Sequence, residues 1–546
     1  MRRIVLVPLS VLGLLTVPLL ASPAGAAATP GTPTPPTHPA ASASETDPSG
    51  VPDQWRSYWV DAFNEGVQSP ARVGAVIEDA LAVNANALIV QISRRWDCFC
   101  NRSLYPRTDA AIDPAPYDPL DEVIRQARAA GLEVHAWVNV NTLWNSATPP
   151  RSPEHAFNRH GPSAEGAERW LNRRADGTEM IGANSYIDPG HPAAVDHIVE
   201  AVRGLVREYD LDGINLDYIR HPDGSAATGR SDWGYNEVSL ARFRAATGRV
   251  DTPHPADGEW TTWRRDQVTG LVRRLYLGLW EEDPTVRLSV NAITYGHGPG
   301  ATGGWETSRP YTEVLQDWAG WLEEGIVDTV VAMNYKRQWV PDQAAMFAEW
   351  SEFLADHQAD RQAVNGPALY LNPIAESVEQ ARIALTPTAA GNTAAGWSGY
   401  SYANPSSAHV DGSAANRAAE RAALARALTT GPDAPLAGRT GVPGMEWKER
   451  PTDGHLAGTV ALRDGTPLDG ARVTVRPLAG NAGGSGGTLE ARTDGSGRFG
   501  LVHLPVGRYL VTLDPPAGAS GPRTAVVRVT AGGIAGADFT RLVPRR

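Results

Sequence analysis

A chain of 546 residues is long enough for one large domain and a smaller one, and its net charge of -12 argues against nucleic acid or an anionic membrane as a main partner. The lysines are Lys336 and Lys448 alone, while 17 tryptophans supply large flat rings that stack on sugar faces but more often fill cores.

Taken in order, Arg2 and Arg3 precede an apolar run from Ile4 to Leu20, and Ala24-Gly25-Ala26 gives the small-residue cleavage pattern of a secretory signal peptide over residues 1–26. The rival reading is a membrane anchor. Against it, Pro8 and Pro18 interrupt the run and no basic stop-transfer flank follows, so the expectation is a secreted or cell-wall-associated protein with no membrane span after processing. Residues 27–52, mostly Pro, Ala, Thr and Ser, are too poor in large apolar side chains to bury a core and read as a disordered linker.

From 53 to 435, short apolar runs alternate with helical spacing. Strands are predicted at Tyr58–Val60, Ala87–Ile92, Glu133–Val138, Gly213–Asp217, Arg287–Val290, Thr329–Met333, Ala368–Leu371 and Trp397–Ser401. Helices are predicted between and after them, at Pro70–Val83, Pro119–Ala130, Pro192–Tyr209, Arg264–Glu281, Tyr311–Glu323, Asp342–His357, Ala375–Leu385 and Ala414–Leu428. Eight such units make an α/β chain of the (β/α)8 TIM-barrel type, with the extra length in loops after strand ends, above all between Val138 and Pro192 and between Pro222 and Arg264. A doubly wound open sheet is the alternative, but no Gly-rich phosphate loop follows the first strand. Within this region Cys98 and Cys100 are one residue apart. In an exported protein they read as a disulfide that closes a very small ring and clips a loop. Residues 436–454 read as a Gly/Pro-rich linker. Residues 455–541, with alternating runs such as Arg472–Val475 and Tyr509–Thr512 between Gly-rich turns, read as a small all-β sandwich.

The barrel is organised around L-D-G-I-N-L-D-Y-I-R-H-P, residues 211–222, where a carboxylate, Asp217, ends a buried strand and a polar loop follows. Polar residues stand at the other strand ends as well. The candidate sugar-binding set is Asp61, Gln91, Trp96, His135, Asn139, Asn215, Tyr218, Arg220, Arg265, Asn291, Asn334 and Tyr335, with Asn141, Lys336, Asn372, Tyr402 and Asn404 also near strand ends. A ring of amides, carboxylates, arginines and aromatics on one barrel face suits a polyhydroxylated ligand, because amides both donate to and accept from hydroxyls. His135 lies within a strand, and a buried core histidine is an equal reading of it.

The segments V-Q-I-S-R-R-W-D, Y-D-P-L-D-E-V-I-R-Q-A, G-L-E-V-H-A-W-V-N, Y-I-D-P-G-H-P-A-A-V, Y-D-L-D-G-I-N-L-D-Y-I-R-H-P, W-R-R-D-Q-V and V-A-M-N-Y, in that order between Trp55 and Asn404, resemble the glycosyl-hydrolase-like family 10 proteins. The resemblance implies a barrel hydrolase acting on glycans, cell-wall glycan in some members. It maps Asp97, Asp217 and the pair Arg265 and Asp266 onto family positions, while Arg94, Arg95 and Trp96 depart from a smaller, Pro-containing pattern. P-L-D-G-A-R-V-T-V, T-D-G-S-G-R-F-G-L and L-P-V-G-R-Y-L-V-T resemble the carboxypeptidase-regulatory-like, prealbumin-like modules attached to many secreted enzymes.

Glycoside hydrolysis needs two carboxyl groups flanking the scissile bond. Asp217 is the first. Asp97 is the favoured partner, with Asp61, Asp188, Asp232, Glu237 and Asp266 behind it. The rival account of Asp217 is a structural ion pair with Arg220 or Arg265. The histidines show no metal-ligand spacing, the carboxylates form no calcium loop and no G-x-S-x-G elbow occurs, so neither metal nor cofactor is expected. Two functions remain open at this stage. One is a glycosidase of a wall or extracellular polysaccharide, peptidoglycan glycan among the candidates; the other is a silent barrel that binds such a polymer and uses the C-terminal module for adhesion.

Overall fold

The computed structural model describes residues 52–224, 229–408, 412–478, 487–515 and 519–544; the expected signal peptide, and all but the last residue of the expected linker after it, lie outside them. The strands β1 (Trp55–Val60), β2 (Ala87–Ser93), β3 (Glu133–Asn139), β4 (Gly213–Asp217), β5 (Arg287–Ile293), β6 (Thr329–Asn334), β7 (Gln362–Pro367) and β8 (Gly396–Tyr400) form a closed barrel, with β1 paired in parallel to both β8 and β2. Around it stand α1 (Pro70–Ala82), α2 (Pro119–Ala129), α3 (Pro192–Glu208), α4 (Gly258–Glu282), α5 (Trp318–Glu324), α6 (Pro341–Asp356), α7 (Ile374–Leu385) and α8 (Ala414–Thr429). Parallel strands covered on both faces are buried throughout, hence their nearly continuous apolar runs.

The two-residue period decides which side chains enter the barrel. Trp55, Trp59, Ile89, Trp137, Val331 and Val364 form one interior cluster, whereas Ile214 and Leu216 pack outward with Val199 and Val202 of α3 in the larger core. On β4 this leaves Asn215 and Asp217 pointing inward.

Three sequence expectations need correcting. The seventh strand is not Ala368–Leu371: Leu369–Leu371 is a 3-10 turn and β7 lies earlier, at Gln362–Pro367. Its Asn, Gly and Pro suit a strand poorly, and tertiary packing selects them. Asn365 donates to Ser351 of α6 at 2.6 Å, and a Cβ on Gly366 would sit 2.4 Å from both the Ala332 carbonyl and the Trp59 ring. The helix expected over Tyr311–Glu323 is broken into Arg309–Glu313 and α5, with Asp317 capping the latter by accepting the Gly320 N–H at 3.2 Å. The third correction concerns residues 436–450, expected as a linker, which lie across the N-terminal ends of the barrel strands. Arg56 donates to the Leu436 and Gly438 carbonyls, Asn86 to Thr440, and Arg287 and Gln362 to Pro443. Lys448 pairs with Asp328 at 2.7 Å, both nearly inaccessible to solvent.

Cys98 and Cys100 are joined as a disulfide and buried in the main core beside Trp96 and Phe99. Beyond residue 452 two sheets enclose Leu456, Val473, Val475, Phe499, Val511 and Leu542 as a sandwich. It docks on the barrel through Trp280 of α4, which donates to the Gly532 carbonyl at 2.8 Å, and through Arg242 with Asp469 at 2.6 Å.

Candidate active site

Asp217 ends β4 inside the barrel mouth. One carboxylate oxygen accepts the Tyr218 N–H at 2.7 Å; the other accepts the Trp137 indole N–H at 3.1 Å. Burial raises its pKa above the usual carboxylate range, against the opposing pull of Arg220, the Tyr218 N–H, Asn291 and Trp137. Arg220 forms its ion pair with Asp223 at 3.4 Å and lies over the Tyr218 ring at 4.8 Å, so Asp217 is not tied off by a direct salt bridge. Strand-end amides extend the network sideways. The Trp137 N–H also reaches Asn139 Oδ1 at 2.9 Å, which accepts from Gln91 at 3.2 Å, and Gln91 in turn accepts the Ala62 N–H at 3.1 Å.

Across the mouth, Asp61 follows β1 on the same inward register as Trp59. Its Oδ1 accepts the N–H groups of Phe63 and Asn64, both at 3.0 Å, and the Asn64 side-chain amide at 2.9 Å. Its Oδ2 is buried and takes no N–H donor; burial is the main cause of its raised pKa, against the pull of Asn64, Phe63 and the Ser401 hydroxyl. Tyr400 at the end of β8 stacks on Tyr335 with centroids 5.0 Å apart and contacts Trp59, Trp137 and Tyr370 edge-on. Its hydroxyl is pushed well above its usual pKa, first by burial and then by both Asp61 and Asp217 among its charged neighbours. At the rim Trp339 is 58% exposed, its indole N–H held by the Leu371 carbonyl at 3.2 Å. Asn372 fixes that loop by accepting the Gln338 N–H at 2.8 Å and donating to the Lys336 carbonyl at 2.9 Å. Lys336 donates to the Thr294 carbonyl at 2.7 Å, and its pKa is lowered to about 7 by burial and by Arg309.

Asp61, Gln91, Asn139, Asp217, Tyr218, Arg220, Asn291 and Tyr335 are thus brought to one mouth; six other candidates are not. Trp96 is fully buried, stacked on His197 and donating to the Val140 carbonyl. His135 lies deep in the barrel, paired in register with Gly213 at the start of β4 and bonded to Glu133 at 3.0 Å. Asn215 is one layer below Asp217 and donates to Ser289 at 2.9 Å. Asn334 is one residue out of phase and turns outward to the Phe347 carbonyl of α6. Arg265 stacks on Tyr311 at 3.5 Å. Asp97 sits in a loop cluster outside the mouth, 2% exposed, accepting from Thr108 at 2.5 Å with Arg94 and Arg95 at 3.7 and 3.8 Å. Among the reserve carboxylates, Asp188 accepts the Gly190 N–H and Asp232 pairs with Arg174. Sequence reading passed over Trp137, Tyr370, Tyr400 and Trp339; the inward register of Asn139 would have indicated Trp137 two residues earlier.

A cleft of about 1850 Å³ opens elsewhere, between α3, α4 and the C-terminal sandwich, and no residue around Asp217 lines it. Among the described residues no group of three or more His, Cys, Asp or Glu is placed to hold a metal, and no helix is long and apolar enough to cross a membrane.

The C-terminal residues 455–541 match the carboxypeptidase regulatory-like domain. Glycosyl hydrolase YngK of Bacillus subtilis (strain 168) is 25% identical over 275 residues, 48% of this chain and 48% of that protein. Glycosyl hydrolase DigH of Escherichia coli (strain K12) is 24% identical over 225 residues, 40% of this chain and 46% of that one, so the chain spans about half the length of the curated relatives it matches. The PgaB (BpsB) glycoside hydrolase domain from Bordetella bronchiseptica aligns at 15% identity with a TM-score of 0.44, covering 64% of this chain and 94% of that structure. The glycosyl hydrolase-like 10 model matches residues 54–384, from just before β1 to the last turn of α7 and more than half of the sequence, and the chain belongs to that family.

Proposed function

We propose that the protein is an exported glycoside hydrolase that cleaves O-glycosidic bonds of a cell-wall or extracellular polysaccharide, with Asp217 at the centre of the chemistry. The observation that carries this reading is a buried inward carboxylate at the end of β4, held by Trp137 and free of a direct cationic partner, in a mouth walled by Tyr218, Tyr335 and Tyr400. A carboxylate so placed stabilises positive charge developing at the sugar's anomeric carbon, or bonds to it as nucleophile. The amides of Gln91 and Asn139 suit sugar hydroxyls, and the exposed Trp339 ring suits a sugar face at the rim. Export rests on the signal-like N-terminus, and a polymer substrate on the long loops around the mouth.

The test is incubation with a panel of purified wall and extracellular polysaccharides, read as new reducing ends. Cleavage that disappears in Asp217→Asn supports the assignment. A competing reading, a barrel that binds without cleaving, draws on the depth of Asp217, which is only 5% exposed. Glycan binding by the wild type with no new reducing ends would decide for it.

A further inference from the structure

Resting on the hydrolase reading, we propose that Asp61 is the proton donor to the glycosidic oxygen, in the role that sequence reasoning gave to Asp97. The asymmetry of its carboxyl group is the central observation. Oδ1 is saturated by three donors, the Phe63 N–H, the Asn64 N–H and the Asn64 amide. None of these N–H groups accepts a proton, so the proton of the neutral acid resides on Oδ2, which is buried and takes no N–H donor. The Ser401 hydroxyl stands beside the carboxyl and, by hydrogen bonding to it, partly opposes the effect of burial.

Among the described residues no charged group forms an ion pair with Asp61. Arg94, from the loop after β2, senses Asp61, but its guanidinium donates to the Ala62 carbonyl at 3.2 Å and lies over the Phe63 ring at 4.7 Å. Tyr400, from β8, is a phenol that senses both Asp61 and Asp217, which with burial hold its hydroxyl proton on. Burial without a bonded cation raises the pKa of Asp61. Asp97 lies outside the mouth, with two arginines and a threonine around one oxygen.

The step balances with water as co-reactant. The Oδ2 proton passes to the glycosidic oxygen, the C–O bond breaks with its electron pair going to that oxygen, and Asp61 is left as carboxylate. Water then attacks the anomeric carbon: after a covalent link to Asp217, the Asp61 carboxylate takes the water's proton and is restored; in direct attack from the opposite face, Asp217 takes that proton, and exchange with solvent returns both groups to their starting states.

The experiment compares Asp61→Asn, Asp97→Asn and wild type on an oligosaccharide of the best-cleaved glycan and on its dinitrophenyl glycoside, whose leaving group needs no proton. For Asp61→Asn the expected result is a loss in kcat/KM of about 10²- to 10⁴-fold on the oligosaccharide, near wild-type rates on the aryl glycoside, and disappearance of the alkaline limb of the pH profile. Asp97→Asn should keep that limb. Equal losses on both substrates, or no loss, would overturn the assignment while leaving the hydrolase reading intact. A wild type that cleaves no glycan would overturn both. Should Asp61→Asn fail to fold, Asp61→Ser, which keeps a hydroxyl acceptor for Asn64, carries the same comparison.

Discussion

The two ends of the barrel treat buried polar groups in opposite ways. At the N-terminal end, Arg56, Asn86, Arg287 and Gln362 are met by carbonyls of residues 436–443, and Asp328 receives Lys448, the Trp447 indole N–H and the Leu288 N–H. At the C-terminal end, Ser93 Oγ, Arg220 Nε and Asn291 Oδ1 are buried without partners. The division is not absolute, since His135 Nδ1 and Arg287 Nε also lack partners. The chain's two lysines repeat the contrast: Lys448 is paired with a buried carboxylate, whereas Lys336 meets a carbonyl and, among the described residues, no acid. Satisfied groups lock a structure, and unsatisfied groups on the catalytic face of a barrel leave donors and acceptors for a ligand.

The largest test of this contrast is Asp217→Asn. It should lower turnover by at least about 10³-fold while raising the urea midpoint at neutral pH. The sign follows from linkage. Asp217 has a raised folded pKa, so the native state holds its proton more tightly than the unfolded chain, and stability falls as pH rises from the ordinary carboxylate range through the raised value. A neutral amide removes that loss.

At the opposite end Lys448→Met should destabilise by about 3–5 kcal/mol with kcat unchanged, because it strands a buried carboxylate. Urea unfolding measures it, and a change below about 1 kcal/mol would mean that residues 436–450 do not act as a strap across the barrel's N-terminal end. Replacing Cys98 and Cys100 together by serine should cost roughly 1–3 kcal/mol. The small ring contributes little, and most of the cost is two hydroxyls placed in a core where both residues are at most 1% exposed. Smallest of all, Trp137→Phe should keep the fold and reduce kcat about tenfold. Loss of the N–H to Asp217 removes stabilisation of the ionised form, so the acidic limb of the pH profile moves to higher pH.

Much of the fold was legible because buried parallel strands are written as apolar runs between amphipathic helices, and Asp217, Asn139 and Gln91 were legible because each stands on an inward register near its strand's end. Asn334 misled by a single residue of phase. Trp96 and Asp97 lie beyond a strand end, where the path of the loop rather than any period sets direction. β7 was hidden by Asn365, Gly366 and Pro367, whose reasons are neighbours remote in sequence. The strap was hidden by its composition, for Gly and Pro spell a spacer unless one knows that buried arginines await its carbonyls.

That strap also sets an order of assembly. Arg56 stands at the start of the barrel, and the carbonyls that receive it lie 380 and 382 residues later. A chain made from its N-terminus lays down all eight strands before residue 436 exists, so the guanidinium groups of Arg56 and Arg287 pass synthesis without their final acceptors. The barrel becomes self-sufficient only when the segment leading into the sandwich has emerged, which couples completion of the barrel to the last fifth of the polypeptide.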